Sequence, residues 1–137
     1  MIIYNKIIPF NGFRAMALWP FIFSREKSLK PYVVNHETIH LRQQFEVLVA
    51  SFLIILALIL VFGWSFWWLF ASFVAFYVLY GVEYLVRFVL YRDADEAYKN
   101  ISFEQEANLH DKEADYLSHR RIFSWIKYLD KKSYEKG

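Results

Sequence analysis

Val47 to Val82 reads VLVASFLIILALILVFGWSFWWLFASFVAFYVLYGV, 36 residues without one Asp, Glu, Lys, Arg or His. As one straight helix this stretch would measure about 54 Å against a hydrocarbon core of roughly 30 Å, so it has to fold back. The break falls at Phe62-Gly63-Trp64-Ser65, where Gly permits a turn, Ser caps a new helix, and Trp64, Trp67 and Trp68 suit a membrane interface. The expected result is a two-helix transmembrane hairpin, with spans from Val47 to Phe62 and from Phe66 to about Val82. The competing reading, a buried hairpin in a soluble protein, needs more surrounding core than 137 residues supply.

Outside the apolar run the chain supports one domain, 1–137, that is mainly α. All sixteen Lys and Arg lie on the side of the hairpin that carries both termini, which places both ends in the cytoplasm by the positive-inside rule. The absence of Cys excludes disulfides and thiolate metal sites, and a net charge of +2, dispersed along the chain, excludes a nucleic-acid partner. The basic residues near the spans suit lipid headgroups, so the bilayer is the first partner. No basic region followed by an apolar stretch and a cleavage site opens the chain, so no cleaved leader is expected.

Residues 1–30 are punctuated by Pro9, Asn11-Gly12 and Pro20, which points to short extended pieces, Ile2 to Ile8 and Ala17 to Phe23, with a turn at Asn11-Gly12. Pro31 suits a first helical turn, and nothing interrupts a helical pattern from Tyr32 to Gly63, so one long helix, 31–62, begins well outside the membrane. The second span, 65–91, continues past Val82 through Glu83 and Arg87. A third, cytoplasmic helix is expected over 101–118, with Ser102 as its cap and Glu104 and Glu106 in its first turn. Within 120–137, Ile122, Phe123, Trp125, Ile126 and Leu129 recur at helical spacing, as in a short amphipathic helix on the membrane followed by a disordered basic tail.

The wet part of the long helix carries His36-Glu37-Thr38-Ile39-His40. Histidines four apart project from one helical face in successive turns and can share one zinc ion, and Glu37 then sits beside the metal, where it can take a proton from water. Solvated imidazoles on a polar helix surface are the plain alternative. The third ligand must come from another element, and Phe103-Glu104-Gln105-Glu106-Ala107-Asn108 offers an acid followed three places later by a small residue, which lets two helices approach closely. Glu104 and Glu106 point about 200° apart on a helix, so only one of them serves, and Glu106 stands as the rival.

This HETIH…EQEAN pair resembles the HExxH…ExxA(D/N) arrangement of gluzincin-type peptidases, among them the membrane-bound CAAX-processing and heat-shock family and the repressor-cleaving family. The resemblance implies Glu104 as the ligand, Asn108 as the residue that orients a ligand His, and Glu106 behind them. With NHETIHLRQQFE, YGVEYLVR and ISFEQEA, nearly the whole chain is similar to a family of small uncharacterised bacterial membrane proteins, which implies an inner-membrane location but no substrate.

Further candidates come from spacing. With the turn at Gly63-Trp64, residues equidistant from it share a depth, which puts Glu83 near Gln44 and Arg87 near His40. Arg87 is then either paired with Glu83 and reaching for headgroups or a catalytic group that stabilises an oxyanion. His110 is a candidate donor to the transition state, Asp111 a candidate orienter of His36 or His40, and Gln43 a candidate lining residue. The sequence therefore predicts a zinc metallopeptidase at the cytoplasmic membrane surface, with His36, His40 and Glu104 on the metal, Glu37 as base, Arg87 and His110 as helpers, and a peptide or membrane-protein tail as substrate. A peptide added as a strand beside Ala17 to Phe23 suits that surface. The alternative is a non-catalytic subunit whose aromatic surface binds a membrane-protein partner.

Overall fold

The computed structural model describes residues 1–9 and 12–137, so Asn11 of the expected Asn11-Gly12 turn lies outside the described residues. Helix α1, Pro31–Phe62, is the axis of the molecule. Pro31 opens it, and it ends where Gly63 adopts φ 68°, a left-handed geometry that costs a side-chain-bearing residue, with the Gly63 N–H bonded to Ile59 O at 2.8 Å. The helix is long and apolar enough to cross a membrane. Leu60 and Val61 are 71% and 73% exposed, far from what a core helix shows.

The return path differs from one continuous second helix. Residues Phe66–Phe73 form a 3-10 helix, and α2, Ala75–Tyr91, follows after a bend of 55°. Ser65 accepts a hydrogen bond from Trp67 N–H, and buried Ser72 returns its hydroxyl to Leu69 O at 2.6 Å, a side-chain bond that competes with α geometry. The consequence is a changed register: Tyr77, not Glu83, lies beside Gln44, its hydroxyl 3.4 Å from Gln44 Oε1.

The expected third helix is also divided, into α4, Ser102–His110, and α5, Tyr116–His119, after the short α3, Ala94–Lys99. Ser102 does not cap α4 with its own oxygen. Its N–H and hydroxyl each donate at 2.7 Å to the Glu83 carboxylate, so an acid from α2 satisfies the positive end of α4.

The C-terminal segment departs from the sequence expectation as well. It is a 3-10 helix, Ser124–Tyr128, docked on α4 through Trp125, whose ring centroid lies 4.5 Å from that of Phe103. Val47, Phe76, Ile101, Phe103 and Trp125 make the larger core cluster, which therefore joins α1, α2, α4 and this segment. The tail is fastened too: Asn100 exchanges two hydrogen bonds with the Tyr134 backbone, at 2.8 and 2.9 Å, and Gln105 donates to Lys131 O at 2.7 Å.

At the other end, the described residues form a three-stranded sheet of order β1-β3-β2 from β1, Ile2–Tyr4, β2, Ala15–Leu18, and β3, Phe21–Ser24. The expected single piece Ala17 to Phe23 is thus the turn of an antiparallel hairpin, with Ala17 opposite Ile22. Gln44 ties this sheet to α1, accepting from Trp19 N–H at 2.7 Å and donating to Ala17 O at 2.9 Å.

Candidate metal centre

His36 and His40 face the N-terminal half of α4 because Ala107, fully buried, packs against Ile39 and lets the two helices close up. The Nε2 atoms of the two imidazoles are 3.2 Å apart. Glu104 completes the group, with Oε2 3.3 Å from His36 Nε2 and Oε1 3.3 Å from His40 Nε2. Donors about 2.0–2.1 Å from a tetrahedral divalent cation stand roughly 3.3 Å from one another, so these separations fit a shared ion. Glu104 Oε2 is buried and accepts no hydrogen bond, an oxygen whose desolvation a cation would offset. These three residues can therefore hold a metal ion.

The orientation of both rings is fixed from behind. His36 Nδ1 lies 3.4 Å from Asp111 Oδ2, and His40 Nδ1 lies 2.8 Å from Gln43 Oε1. The Gln43 amide cannot be reversed without loss, since its Nε2 donates to Phe103 O at 3.0 Å and to Glu106 Oε2 at 2.8 Å. An acceptor at each Nδ1 keeps that nitrogen protonated and leaves each Nε2 lone pair for the centre.

Electrostatics agree with the geometry. Burial pulls the His40 imidazole down, but the Glu104 carboxylate beside it prevails and the group is pushed up to about 9. Burial raises the Glu104 carboxyl, and the two histidines more than reverse this, holding it well below the usual carboxylate range. Tyr80 donates its hydroxyl to Glu104 Oε1 at 2.7 Å, and the nearby Tyr98 hydroxyl is raised by burial and then by the Glu104 charge.

Glu106, the rival ligand, serves a separate ion network. Its Oε1 accepts from Arg120 Nε at 2.5 Å and from the Tyr116 hydroxyl at 2.8 Å. The Arg120 guanidinium bridges Glu106 to Glu46 on α1 and is held firmly charged by both acids despite its burial. A continuous path thus runs from His40 through Gln43, Glu106 and Arg120 to Glu46. Of the residues that carry this path, Gln43 and Glu106 are marked in the sequence; Glu46 and Arg120 show no motif, though an acid at the last turn before an apolar run hints at a buried partner.

Glu37 lines the same cavity as the three ligands, a space of about 510 Å³ that also takes in Phe13, Ala15, Met16, Ala17, Leu18, Gln44, Phe76, Tyr77, Tyr80, Tyr84, Ala94 and Tyr98. Arg87 and His110 do not line it. The Arg87 guanidinium directs its five N–H groups to Glu83 Oε1, the Tyr91 hydroxyl and the carbonyls of Tyr128, Leu129 and Lys131, at 2.8 to 3.1 Å, so it closes the C-terminal segment and has no donor left for an oxyanion. The expected depth match with His40 fails because the 3-10 helix shifts the register. His110 stacks on Tyr116 with centroids 4.0 Å apart, and its nitrogens meet Glu113 Oε1 and the Tyr128 hydroxyl at 3.0 and 3.1 Å, outside the cavity. Asn108 is exposed, and Asp111 takes the orienting position expected of it. Compared with family models, curated proteins and solved structures, the chain matches none.

Proposed function

We propose that the chain is a zinc-dependent metallohydrolase of the membrane, acting as a peptidase at the cytoplasmic surface. The observation that carries this reading is the convergence of three ligand atoms, two of them on imidazoles whose Nδ1 atoms face acceptors, with Glu37 in the same cavity. His36, His40 and Glu104 would hold the ion, and a bound zinc ion supplies Lewis acidity toward a carbonyl and acidifies water. Glu37 is the base that takes a proton from the attacking water and passes it to the leaving group. Tyr80 holds Glu104 in position through its hydrogen bond, and Asp111 and Gln43 hold the rings.

The membrane placement rests on the length and exposure of α1 and on the basic residues, all of which flank the apolar run on the side of both termini. In this placement α1 and the bent pair of 66–73 and α2 form the hairpin, and the metal group sits near the cytoplasmic margin of the bilayer.

The test compares membranes holding the wild-type chain with membranes holding Glu37→Gln, by zinc content and by mass-spectrometric mapping of new peptide termini. One zinc per chain in both, lost in Glu104→Ala, with new termini only in the wild type, is the expected result. A folded, purified protein that takes up no zinc overturns it and favours an accessory subunit.

A further inference from the structure

The wall of the cavity toward Gln44 is largely apolar, its polar groups being the Tyr77 hydroxyl and the Gln44 amide, which is bonded to Trp19 N–H and Ala17 O. On the β2 side it is built from the small side chains of Ala15 and Ala17, which leave the room, and from Leu18. On the α2 side it is built from Phe76 and Tyr77, which precede Tyr80, the residue bonded to Glu104. They lie on the side of the metal group nearer the Trp-rich turn, the bilayer side in the topology proposed above. A second, small cavity of about 40 Å³ continues in this direction and shares Gln44, Phe76 and Tyr77 with the first. The hydroxyl-bearing Tyr84 and Tyr98, with the carboxylate of Glu37, lie around the other end. The charged Glu37 thus lies at the end away from the Trp-rich turn, and Ala15, Ala17, Leu18 and Phe76 lie toward it.

We infer that this space seats one alkyl chain of a membrane amphiphile, with the carbonyl that heads the chain presented to His36, His40 and Glu104. A volume of about 510 Å³ lies within the range that encloses a medium-sized organic ligand. The inference rests on the hydrolase reading and narrows its substrate to an acylated amide or ester. Water adds to the carbonyl carbon, the bond from that carbon to nitrogen or oxygen breaks, the acyl half leaves as a carboxylate, and Glu37 carries the proton to the departing amine or alcohol.

The test uses alkyl hydroxamic acids of two, eight and twelve carbons, bound to the zinc-loaded protein in one detergent and followed by calorimetry. Each buried methylene is worth about a fourfold gain, so the eight-carbon compound should bind on the order of 100-fold tighter than the two-carbon one even with incomplete burial. Ala17→Phe should abolish that advantage and leave the two-carbon affinity unchanged; Leu18→Trp, at a half-buried position, gives the same readout if the first variant does not fold. Comparing variants in one detergent cancels partition of the longer chains into micelles. Zinc and the two-carbon compound bound without dependence on chain length would overturn the inference and leave the hydrolase reading intact. A length dependence unchanged in the folded variants would overturn it equally, and absence of zinc binding would overturn both. Displacement of the eight-carbon compound by an N-octanoyl dipeptide or by an octanoyl lysophospholipid tells whether the chain arrives on a peptide or on a lipid; displacement by neither counts against the inference.

Discussion

Replacing Gln43 by Leu keeps the volume of a fully buried side chain and removes all its polar atoms. Three hydrogen bonds disappear, from His40 Nδ1 at 2.8 Å, to Phe103 O at 3.0 Å and to Glu106 Oε2 at 2.8 Å. Glu106 keeps Arg120 and Tyr116 and the Phe103 carbonyl keeps its place in the α4 ladder, but the His40 N–H is left buried without its acceptor at about 1–3 kcal/mol, so unfolding should become easier by roughly 2 kcal/mol. The imidazole also loses the group that sets its tautomer, and such a loss weakens metal binding about 10–100-fold, or roughly 1.4–2.7 kcal/mol. Thermal unfolding in detergent reads the first effect, and competition for zinc with a fluorescent chelator reads the second. Gln43→Glu separates the two: its carboxylate still accepts from His40 but cannot donate to Phe103 O and sets an acid against the Glu106 carboxylate, so zinc affinity should stay within a few-fold while stability falls. A folded Gln43→Leu protein with wild-type zinc affinity would refute the argument that Gln43 orients the ligand.

Zinc must displace the His40 proton at every pH below about 9, so apparent affinity should rise tenfold per pH unit through the neutral range, be about 100-fold below its plateau at pH 7, and release one proton; calorimetry in buffers of different ionisation enthalpy counts that proton, and a flat affinity from pH 7 to 8.5 contradicts the pairing with Glu104. Arg120→Met leaves the Glu46 and Glu106 carboxylates buried without their cation and should destabilise the fold by about 3–5 kcal/mol, partly restored by adding Glu106→Gln; an unchanged unfolding midpoint would show the network to be dispensable. Arg87→Ala should lower thermal stability by releasing the C-terminal carbonyls while zinc affinity stays within about threefold, and a loss of zinc binding at unchanged stability would return Arg87 to the site.

The parts of this molecule that the sequence made legible are those fixed by local chemistry. Pro31 and Gly63 bound α1 because a fixed φ and a left-handed φ are properties of single residues. His36 and His40 share a face because helical periodicity places them there, and a small residue, Ala107, marks where the helix carrying Glu104 and its rival Glu106 approaches. What sets the rings is less local. Gln43 and Asp111 act through partners 60 or more positions away in sequence, and Asn108, which a motif would prefer, is exposed, while Asp111, just past the end of α4, meets His36.

Depth along two helices joined by a turn is sensitive to the rise per residue, because any difference accumulates over about twenty residues. From Gln44 to the turn α1 advances about 1.5 Å per residue, but the return begins with a 3-10 helix, which advances about 2.0 Å, so it reaches the same level in fewer residues and brings Tyr77 where Glu83 was expected. The charges that follow are thereby carried beyond the metal group. There Glu83 meets the N-terminal N–H of α4 and Arg87 meets the carbonyls that end the C-terminal 3-10 helix, each charge set against the helix end of opposite sign. Two ionised groups so little exposed are costly unless such partners satisfy them, and the Glu83 bonds to Ser102 also seat α4 against α2 and so hold Glu104 in reach of the imidazoles. Glu83 thus supports the candidate metal centre by positioning the helix that carries its third ligand, and Arg87 fastens the C-terminal segment that packs on that helix through Trp125.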